Sequence, residues 1–275
     1  MSRLQLEIGK LAVIVDSAAA VDISIPLAFD DEQPNCFGAP RAAKESLQVD
    51  GWTGDTRRGG SCNVDVYRLT PHCNGTHTEC IGHIVHDAVY AAETLRGGLL
   101  PATLISIDAL TRARTRETSL PNPESTDRMI TAYAIEQALS QWPEKALRRA
   151  LIIRTRPNPE SKAVTEYHAD DPPPFLSMEA ASLLVEMNVE HVLVDVPSID
   201  RMSDGGRLSA HHIFFGLPPG ARDVKSADRA HCTVTELVYV PDIVPDGYYL
   251  LDLQMPPFMT DAAPSRPLLY QVRNL

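Results

Sequence analysis

The residues best suited to chemistry are concentrated between His72 and His83, where the chain reads His-Cys-Asn-Gly-Thr-His-Thr-Glu-Cys-Ile-Gly-His. His77 and Glu79 are two residues apart, so in an extended segment their side chains point to the same face. Gly75, between the histidines, permits a tight turn of the backbone. Histidine and carboxylate side chains that converge in this way are the ligands that zinc, manganese and iron bind. The segment therefore predicts one half of a metal site.

A second group of such residues lies far along the chain. Residues 194–200, Val-Asp-Val-Pro-Ser-Ile-Asp, lead from an apolar run into a polar loop, where binding groups of open α/β sheets usually lie. His211 and Glu236 follow as a second histidine–carboxylate pair. Glu236 precedes the apolar residues 237–240, and a buried carboxylate without a partner is unfavourable, which a nearby cation would relieve. His212 adjoins His211, and since neighbouring side chains diverge, at most one of them faces the site.

The segments that must position these residues alternate between strand-like and helix-like patterns. Apolar residues at helical spacing predict helices over 84–95, 127–142 and 177–187. Runs rich in β-branched residues predict strands, which are best defined at 191–196. The other predicted strands cover residues 11–15, 21–26, 104–110, 151–154, 234–240, 248–253 and 268–272.

The order of these elements predicts the fold class. Strand 151–154, helix 177–187 and strand 191–196 form a βαβ unit, whereas the C-terminal strands are joined by Pro and Gly turns. We therefore expect one α/β domain over residues 1–275, with a mixed sheet that combines antiparallel strands and a βαβ layer. Residues 29–60 form a long Pro-, Gly- and charge-rich stretch, and such long connections tend to be functional or to contact a neighbouring subunit.

Composition restricts the partners and the compartment. The formal net charge of −11 argues against a nucleic-acid or anionic-membrane partner, and by itself it says nothing about a substrate. Five cysteines are an odd number and too sparse for a disulfide framework, which favours a reducing compartment. The apolar run 11–15 is too short for a signal peptide, and no apolar stretch approaches the ~18–20 residues of a membrane span. We expect a cytoplasmic protein.

The sequence resembles the cyclase-like metal-dependent hydrolases, a family that includes bacterial kynurenine formamidase and isatin hydrolase. The family signature is His-x-Gly-Thr-His-x-Asp-x-Pro-x-His, and Gly75-Thr76-His77-x-Glu79 and His83 fall in register with it. The resemblance continues in the family's order over residues 22–24, 195–200, 208–211, 256–258 and 261–264.

This resemblance implies a swivelling β/β/α domain, usually built as a homodimer, that binds one or two ions of Zn²⁺ or Mn²⁺. It implies that His77, Glu79, His211 and Glu236 bind metal, with Glu79 in place of the family's aspartate. It also implies that His83 acts as the general acid/base.

The chain departs from the family pattern at three points. The first histidine of the signature falls on Cys73, and His72 lies one residue further out, so either residue is a candidate metal ligand. Glu79 is longer than aspartate by one methylene, and Ile81 replaces the family's proline. Residues 217–231 are additional by comparison with the compact formamidases.

The implied activity is hydrolysis of a C–N bond in an aryl formamide or cyclic amide by metal-activated water, as in the arylformamidases of tryptophan catabolism. Phe37 and Trp52, in the long loop, are candidates to close over an aryl substrate. The alternatives are a non-catalytic metal- or ligand-binding homologue and a lyase or dehydratase on the same site. Cys80 near His83 is a candidate nucleophile, although buried thiols are more often inert.

Overall fold

Eighteen β-strands are present in residues 2–273, the part of the chain that the computed structural model describes. In chain order they are β1 (Arg3–Ile8), β2 (Leu11–Asp16), β3 (Val21–Asp22), β4 (Ala43–Ser46), β5 (Gln48–Val49), β6 (Trp52–Thr53), β7 (Asp65–Arg68), β8 (His77–Glu79), β9 (Leu99–Asp108), β10 (Leu110–Thr111), β11 (Arg128–Ile130), β12 (Ala150–Arg156), β13 (Phe175–Leu176), β14 (His191–Val194), β15 (Thr233–Glu236), β16 (Gly247–Gln254), β17 (Ala262–Pro264) and β18 (Arg266–Gln271).

The α-helices of the same residues are short. They are α1 (Pro71–Asn74), α2 (Ala91–Thr94), α3 (Ala132–Leu139), α4 (Met178–Glu186) and α5 (Ser209–Phe214). Side-chain caps set where α3 and α4 begin: Thr131 accepts a hydrogen bond from the amide of Ala134, and Ser177 accepts one from the amide of Ala180. The predicted helix over 177–187 is thereby confirmed, with Ser177 as its cap.

The main sheet has nine strands in the order β17-β8-β15-β14-β12-β9-β16-β18-β3. Its centre, from β15 to β9, is parallel, and the strands on either side are antiparallel. Helix α3 lies between β9 and β12 in the chain, and α4 lies between β12 and β14, which makes two βαβ units. The predicted α/β class, with a mixed sheet of antiparallel strands and a βαβ layer, is confirmed.

The central strands are apolar on both faces because both faces are covered. Leu151 and Ile153 of β12 pack in the cluster that also contains the buried side chains of α3 and α4. Ile152 points to the opposite face and packs with residues of β16 and β18. A strand buried on both sides reads as a continuous apolar run, which is why 151–154 and 191–196 could be predicted.

The edge of the sheet joins the segments that carry the predicted site residues. Strand β8 pairs antiparallel with both β15 and β17, with His77 opposite Glu236 and Glu79 opposite Ala262. All three residues of β8 are buried. Two distant parts of the chain therefore meet at β8.

The predicted helix over 84–95 is wrong, since the structure has a 3-10 turn at Ile81–His83 and only the four-residue α2. The guanidinium of Arg222 donates to the carbonyl of Ile84, and the amide of His86 donates to the carbonyl of Arg222. Backbone groups that a helix over residues 84–95 would use for its own hydrogen bonds are therefore bonded to the additional segment 217–231. The apolar side chains of Ile84, Val85 and Val89 therefore pack into the core without a helical backbone.

Two other predicted elements are shorter than expected. Residues 128–130 of the predicted helix 127–142 form β11, which pairs with β10 and β13, so the helix begins only at Ala132. The predicted strand 234–240 stops at Glu236, because Leu237 has a φ of 54° in the left-handed region. Tertiary contacts outweigh local pattern at both places.

We expect the buried His191 to make stability depend on pH. Burial, aided by the charge of Arg149, lowers the pKa of His191 to about 4. Between pH 6.5 and pH 4 the unfolded chain takes up a proton that the folded protein does not, so stability falls as the pH falls, by about 3 kcal/mol at most.

His191→Asn keeps a polar atom near Thr233, which the ring now contacts at 2.8 Å, and should flatten this dependence. Urea unfolding between pH 7 and pH 4 measures it, and the exposed His168→Asn is the control. Parallel pH profiles for wild type and His191→Asn would contradict the expectation.

Candidate metal centre

The carboxylate of Glu79 lies between two imidazoles. Its Oε1 atom is 2.6 Å from Nε2 of His211, and its Oε2 atom is 2.8 Å from Nδ1 of His72. Only 1% of the Glu79 side chain is exposed. The two histidines come from α1 and α5, so the fold brings residues 72, 79 and 211 to one point.

Each of these imidazoles is bound on its other nitrogen by a second carboxylate. Asp200 Oδ2 is 2.6 Å from Nδ1 of His211, and Asp261 Oδ2 is 2.9 Å from Nε2 of His72. Carboxylates in this position orient a histidine that binds metal and make it a better ligand. On each side of Glu79, therefore, one histidine lies between two carboxylates.

Asp200 also sets where α5 begins. Its Oδ1 accepts from the amide of Ala210, and its Oδ2 accepts from the amide of His211. These amides lie in the first turn of the helix, where no partner exists within the helix itself. Leu208, immediately before α5, has a φ of 46°. The loop after β14 thereby holds both the backbone and the ring of His211.

His77 and Glu236 face each other across the pairing of β8 with β15. His77 Nδ1 lies 3.0 Å from the carbonyl oxygen of Gly75, and its Nε2 lies 3.4 Å from Glu236 Oε2. The other oxygen of Glu236 accepts from the amide of Ile199 at 2.7 Å. His77 and Glu236 are both buried, so solvent does not complete this contact.

Two atoms of this group lack hydrogen-bond partners among the described residues. They are His77 Nε2 and Glu79 Oε2. Glu79 Oε2 lies 2.8 Å from His72 Nδ1, but this contact does not have hydrogen-bond geometry. Buried polar atoms without partners are costly. A divalent cation would satisfy both atoms, and imidazole nitrogens with carboxylate oxygens suit Zn²⁺ or Mn²⁺. The residues present therefore fit a metal ion.

Ligand-type atoms within 4.8 Å of one another form three overlapping groups: His72, His77 and Glu79; Glu79, His83 and His211; and His72, His83 and Asp261. Over residues 2–273, Cys73 belongs to none of them. The Cys73 thiol instead interacts with that of Cys36, whose sulfur lies 3.5 Å from the carbonyl oxygen of His72. Of the two candidates for the first ligand, the structure therefore places His72 beside Glu79.

The charges of the cluster shift its pKa values strongly in the absence of metal. Burial lowers the pKa of His72, but Asp261 and Glu79 outweigh it and raise that pKa to about 10. Burial likewise opposes protonation of His211, yet Glu79 and Asp200 raise its pKa well above the usual range. Burial raises the pKa of Glu79, and the charges of His83 and His211 more than reverse this. Metal must displace these protons, so its affinity should fall at lower pH.

His83 lies at the open side of the cluster. Its ring stacks on that of His72 with centroids 4.3 Å apart. Its Nδ1 is 3.5 Å from Asp261 Oδ2 and 3.9 Å from Glu79 Oε2, and 28% of its side chain is exposed. His83 therefore reaches both the buried cluster and solvent.

Gly82 allows the turn that carries His83. A Cβ atom at this position would lie 2.3 Å from the carbonyl oxygen of Val89, so the backbone approaches too closely for a side chain. Gly75, for which we expected a tight turn, has an extended backbone with a φ of 171°. The tight packing in this segment is at Gly82.

The sequence assigned no site role to Asp261 and placed Asp200 only in the polar loop of residues 194–200. Asp261 comes beside Glu79 only because β17 pairs with β8, a contact that no local pattern reveals. His212 points away, with its Nδ1 3.0 Å from the carbonyl oxygen of Pro218. Burial raises the pKa of the Cys80 thiol to about 11, which argues against Cys80 as a nucleophile.

The chain belongs to the cyclase family. The family model described as "Putative cyclase" matches residues 21–201, more than half of the 275 residues. The match includes His72, His77, Glu79 and His83 and ends before His211 and Glu236. A search of curated proteins found no significant match.

Several solved structures share the fold. A predicted metal-dependent hydrolase from Bacillus stearothermophilus is 17% identical, with a TM-score of 0.55 over 92% of this chain and 98% of its own. Isatin hydrolase A from Labrenzia aggregata, bound to benzyl benzoate, is 15% identical, with a TM-score of 0.60 over 93% of this chain and 94% of its own.

Isatin hydrolase A from Ralstonia solanacearum is 15% identical, with a TM-score of 0.58 over 92% of this chain and 91% of its own. At such identities the similarity concerns the fold. In residues 2–273, no helix is long and apolar enough to cross a membrane.

We expect metal to stabilise the folded protein, because it would tie β8 to β15 and α5. Zn²⁺ or Mn²⁺ at about 100 times its Kd should raise the free energy of unfolding by ~2.7 kcal/mol. His77→Ala should abolish this effect, and His212→Ala should retain it. Thermal unfolding with and without EDTA measures the difference, and an EDTA-insensitive Tm in protein known to contain metal would contradict the expectation.

A second comparison separates the two candidates for the first ligand. His72→Ala removes an imidazole that contacts Glu79, whereas Cys73→Ala removes a thiol that belongs to none of the ligand groups in residues 2–273. His72→Ala should weaken metal binding about 10–100-fold or more, and Cys73→Ala should leave it nearly unchanged. Competition with a chelating dye measures the affinity, and the reverse ranking would make Cys73 the ligand.

Proposed function

We propose that this protein is a metal-dependent hydrolase that cleaves the C–N bond of an aryl formamide or a cyclic amide. The observation that carries the proposal is the buried Glu79 carboxylate between His72 and His211. Beside it, His77 Nε2 and Glu79 Oε2 have no hydrogen-bond partner among the described residues. Membership of the cyclase family and the shared fold of two isatin hydrolases support it.

The residues that would hold one or two ions of Zn²⁺ or Mn²⁺ surround Glu79. A bound ion would lower the pKa of a water molecule and polarise the substrate carbonyl. Glu79 offers one oxygen toward His72 and the other toward His211, so its carboxylate is placed to serve two positions. The candidate ligands are His72, His77, Glu79, His211 and Glu236.

His83 is the proposed general acid/base. It takes a proton from the water whose oxygen adds to the carbonyl carbon, and it returns that proton to the nitrogen as the C–N bond breaks. Its partial exposure allows contact with a substrate, while Asp261 and Glu79 lie near Nδ1 and favour one ring orientation. Asp261 contacts His72 as well, so it positions both rings.

A cavity beside His72 and Asp261 is the proposed substrate site. Its volume is about 460 Å³, which falls in the range of small-molecule sites. Tyr67 and Phe258 line it and offer aromatic surface to an aryl ring. Phe37 and Trp52, the aromatic residues suggested by the sequence, are not among the described residues that line this cavity.

The direct test of the proposed function is turnover. Metal-loaded protein should hydrolyse at least one of formylkynurenine, isatin and small cyclic imides, as measured by loss of substrate absorbance. No turnover across this panel would favour a non-catalytic homologue or a lyase.

The homodimer and the cytoplasmic location remain predictions from the sequence.

We expect His83→Ala to separate metal binding from chemistry. Loss of a general acid/base should lower kcat by about 10²–10⁴-fold while the metal content stays stoichiometric. His86→Ala, which removes a nearby exposed histidine, should keep both. Metal analysis beside steady-state kinetics checks this, and loss of metal from His83→Ala would make His83 a ligand instead.

A further inference from the structure

A second cavity lies against α5, and its lining residues are different from those of the proposed substrate cavity. Its volume is about 290 Å³, close to the lower end of the range of small-molecule sites. The apolar side chains of its wall come from the loop before β11, from α4 and α5, and from the additional segment 217–231. They are Leu120, Met178, Ile213, Leu217 and Pro219. The cavity therefore suits one small, mainly apolar molecule.

His212 presents a ring nitrogen without a partner to this cavity. Only 4% of the residue is exposed, and it forms part of the cavity wall. Its Nδ1 lies 3.0 Å from the carbonyl oxygen of Pro218 and 3.3 Å from that of Leu217. The second ring nitrogen, Nε2, has no hydrogen-bond partner in residues 2–273 but is still accessible rather than enclosed. The small accessible surface of His212 thus includes Nε2 and opens into the cavity that the residue lines.

The contacts of Nδ1 determine what Nε2 can do. A carbonyl oxygen only accepts hydrogen bonds, so Nδ1 carries a hydrogen and donates it to Pro218. In the neutral ring Nε2 then carries no hydrogen and is an acceptor. A molecule that fills the cavity gains a hydrogen bond at Nε2 if it carries a donor such as a hydroxyl group.

Two arginines also line the cavity, but their positive charges have other surroundings. The guanidinium of Arg222 donates to the carbonyl of Ile84 at 2.9 Å, and Arg207 is exposed to water, which screens its charge. A carboxylate in the cavity would face the acceptor Nε2 of His212 with no hydrogen to donate, which is unfavourable. The wall therefore favours a neutral ligand over an anion.

We propose that this cavity binds a small neutral apolar molecule that carries a hydroxyl group, and that the hydroxyl donates to Nε2 of His212. The site goes beyond the proposed hydrolase activity and does not depend on it. Its wall is formed before a ligand enters, because the amide of Leu217 donates to the carbonyl of His212 and Arg222 is fixed to Ile84. A cavity formed in advance loses little affinity to reordering.

The test compares probes of similar shape by titration calorimetry: 4-ethylphenol, 4-ethylanisole and 4-ethylbenzoate. The phenol should bind most tightly. The anisole, whose oxygen has no hydrogen to donate, should bind about 3–10-fold more weakly, and the benzoate more weakly still. No binding of the phenol, equal affinity for the phenol and the anisole, or tightest binding of the benzoate would overturn the proposal.

His212→Asn tests the hydrogen bond itself, because asparagine keeps a donor near Pro218 and removes Nε2. It should lower the affinity for the phenol to that for the anisole and change the anisole less than about twofold. The exposed His168→Asn is the matched control and should change neither affinity. Equal affinity for the phenol in His212→Asn and wild type would show that Nε2 does not hold the ligand.

Two further variants locate the probe. Met178→Trp enlarges a side chain of the cavity wall and should weaken the binding of the phenol by about tenfold or more, whereas Phe258→Ala alters the proposed substrate cavity and should leave it unchanged. Loss of binding only in Phe258→Ala would place the phenol in the substrate cavity and overturn the proposal. Thermal unfolding checks that Met178→Trp is folded, and if it is not, His212→Asn decides. Since none of these measurements uses turnover, failure here leaves the proposed hydrolase activity intact.

Discussion

The burial of the Glu79 carboxylate constrains the arrangement of everything around it. An ionised carboxylate removed from water is unfavourable unless charged or hydrogen-bonding partners surround it. His72 and His211 supply those partners, and each is held in turn by another carboxylate, Asp261 or Asp200. Because each of these side chains contacts the next, the cluster forms only when distant parts of the chain meet at β8.

The sheet provides this meeting by pairing β8 between β15 and β17. The first pairing sets His77 opposite Glu236, and the second brings the segment of Asp261 beside Glu79. The loop after the parallel strand β14 delivers Asp200, which caps α5 and thereby orients His211. Binding groups at the carboxyl ends of parallel strands are common in α/β proteins, and here an antiparallel edge completes the site.

Buried and exposed residues divide the proposed chemistry between them. His77, Glu79, His211 and Glu236 are buried, which favours tight and ordered binding of a cation. His83 is partly exposed, and its ring stacks on that of His72, which lines the proposed substrate cavity together with Tyr67 and Phe258. These four candidate metal ligands are thereby kept from solvent, while groups proposed to handle protons and substrate remain accessible.

The sequence by itself determined the elements and residues whose evidence is local. The strands at 151–154 and 191–196, the helix at 177–187 and the pair His77–Glu79 follow from apolar runs, a serine cap and the two-residue repeat of a strand. Only the tertiary structure decided the placement of His72, His211 and Asp261 and the absence of a helix over 84–95. The physical reason is that hydrogen bonds and strand pairing between distant segments set these features, and spacing along the chain does not encode such contacts.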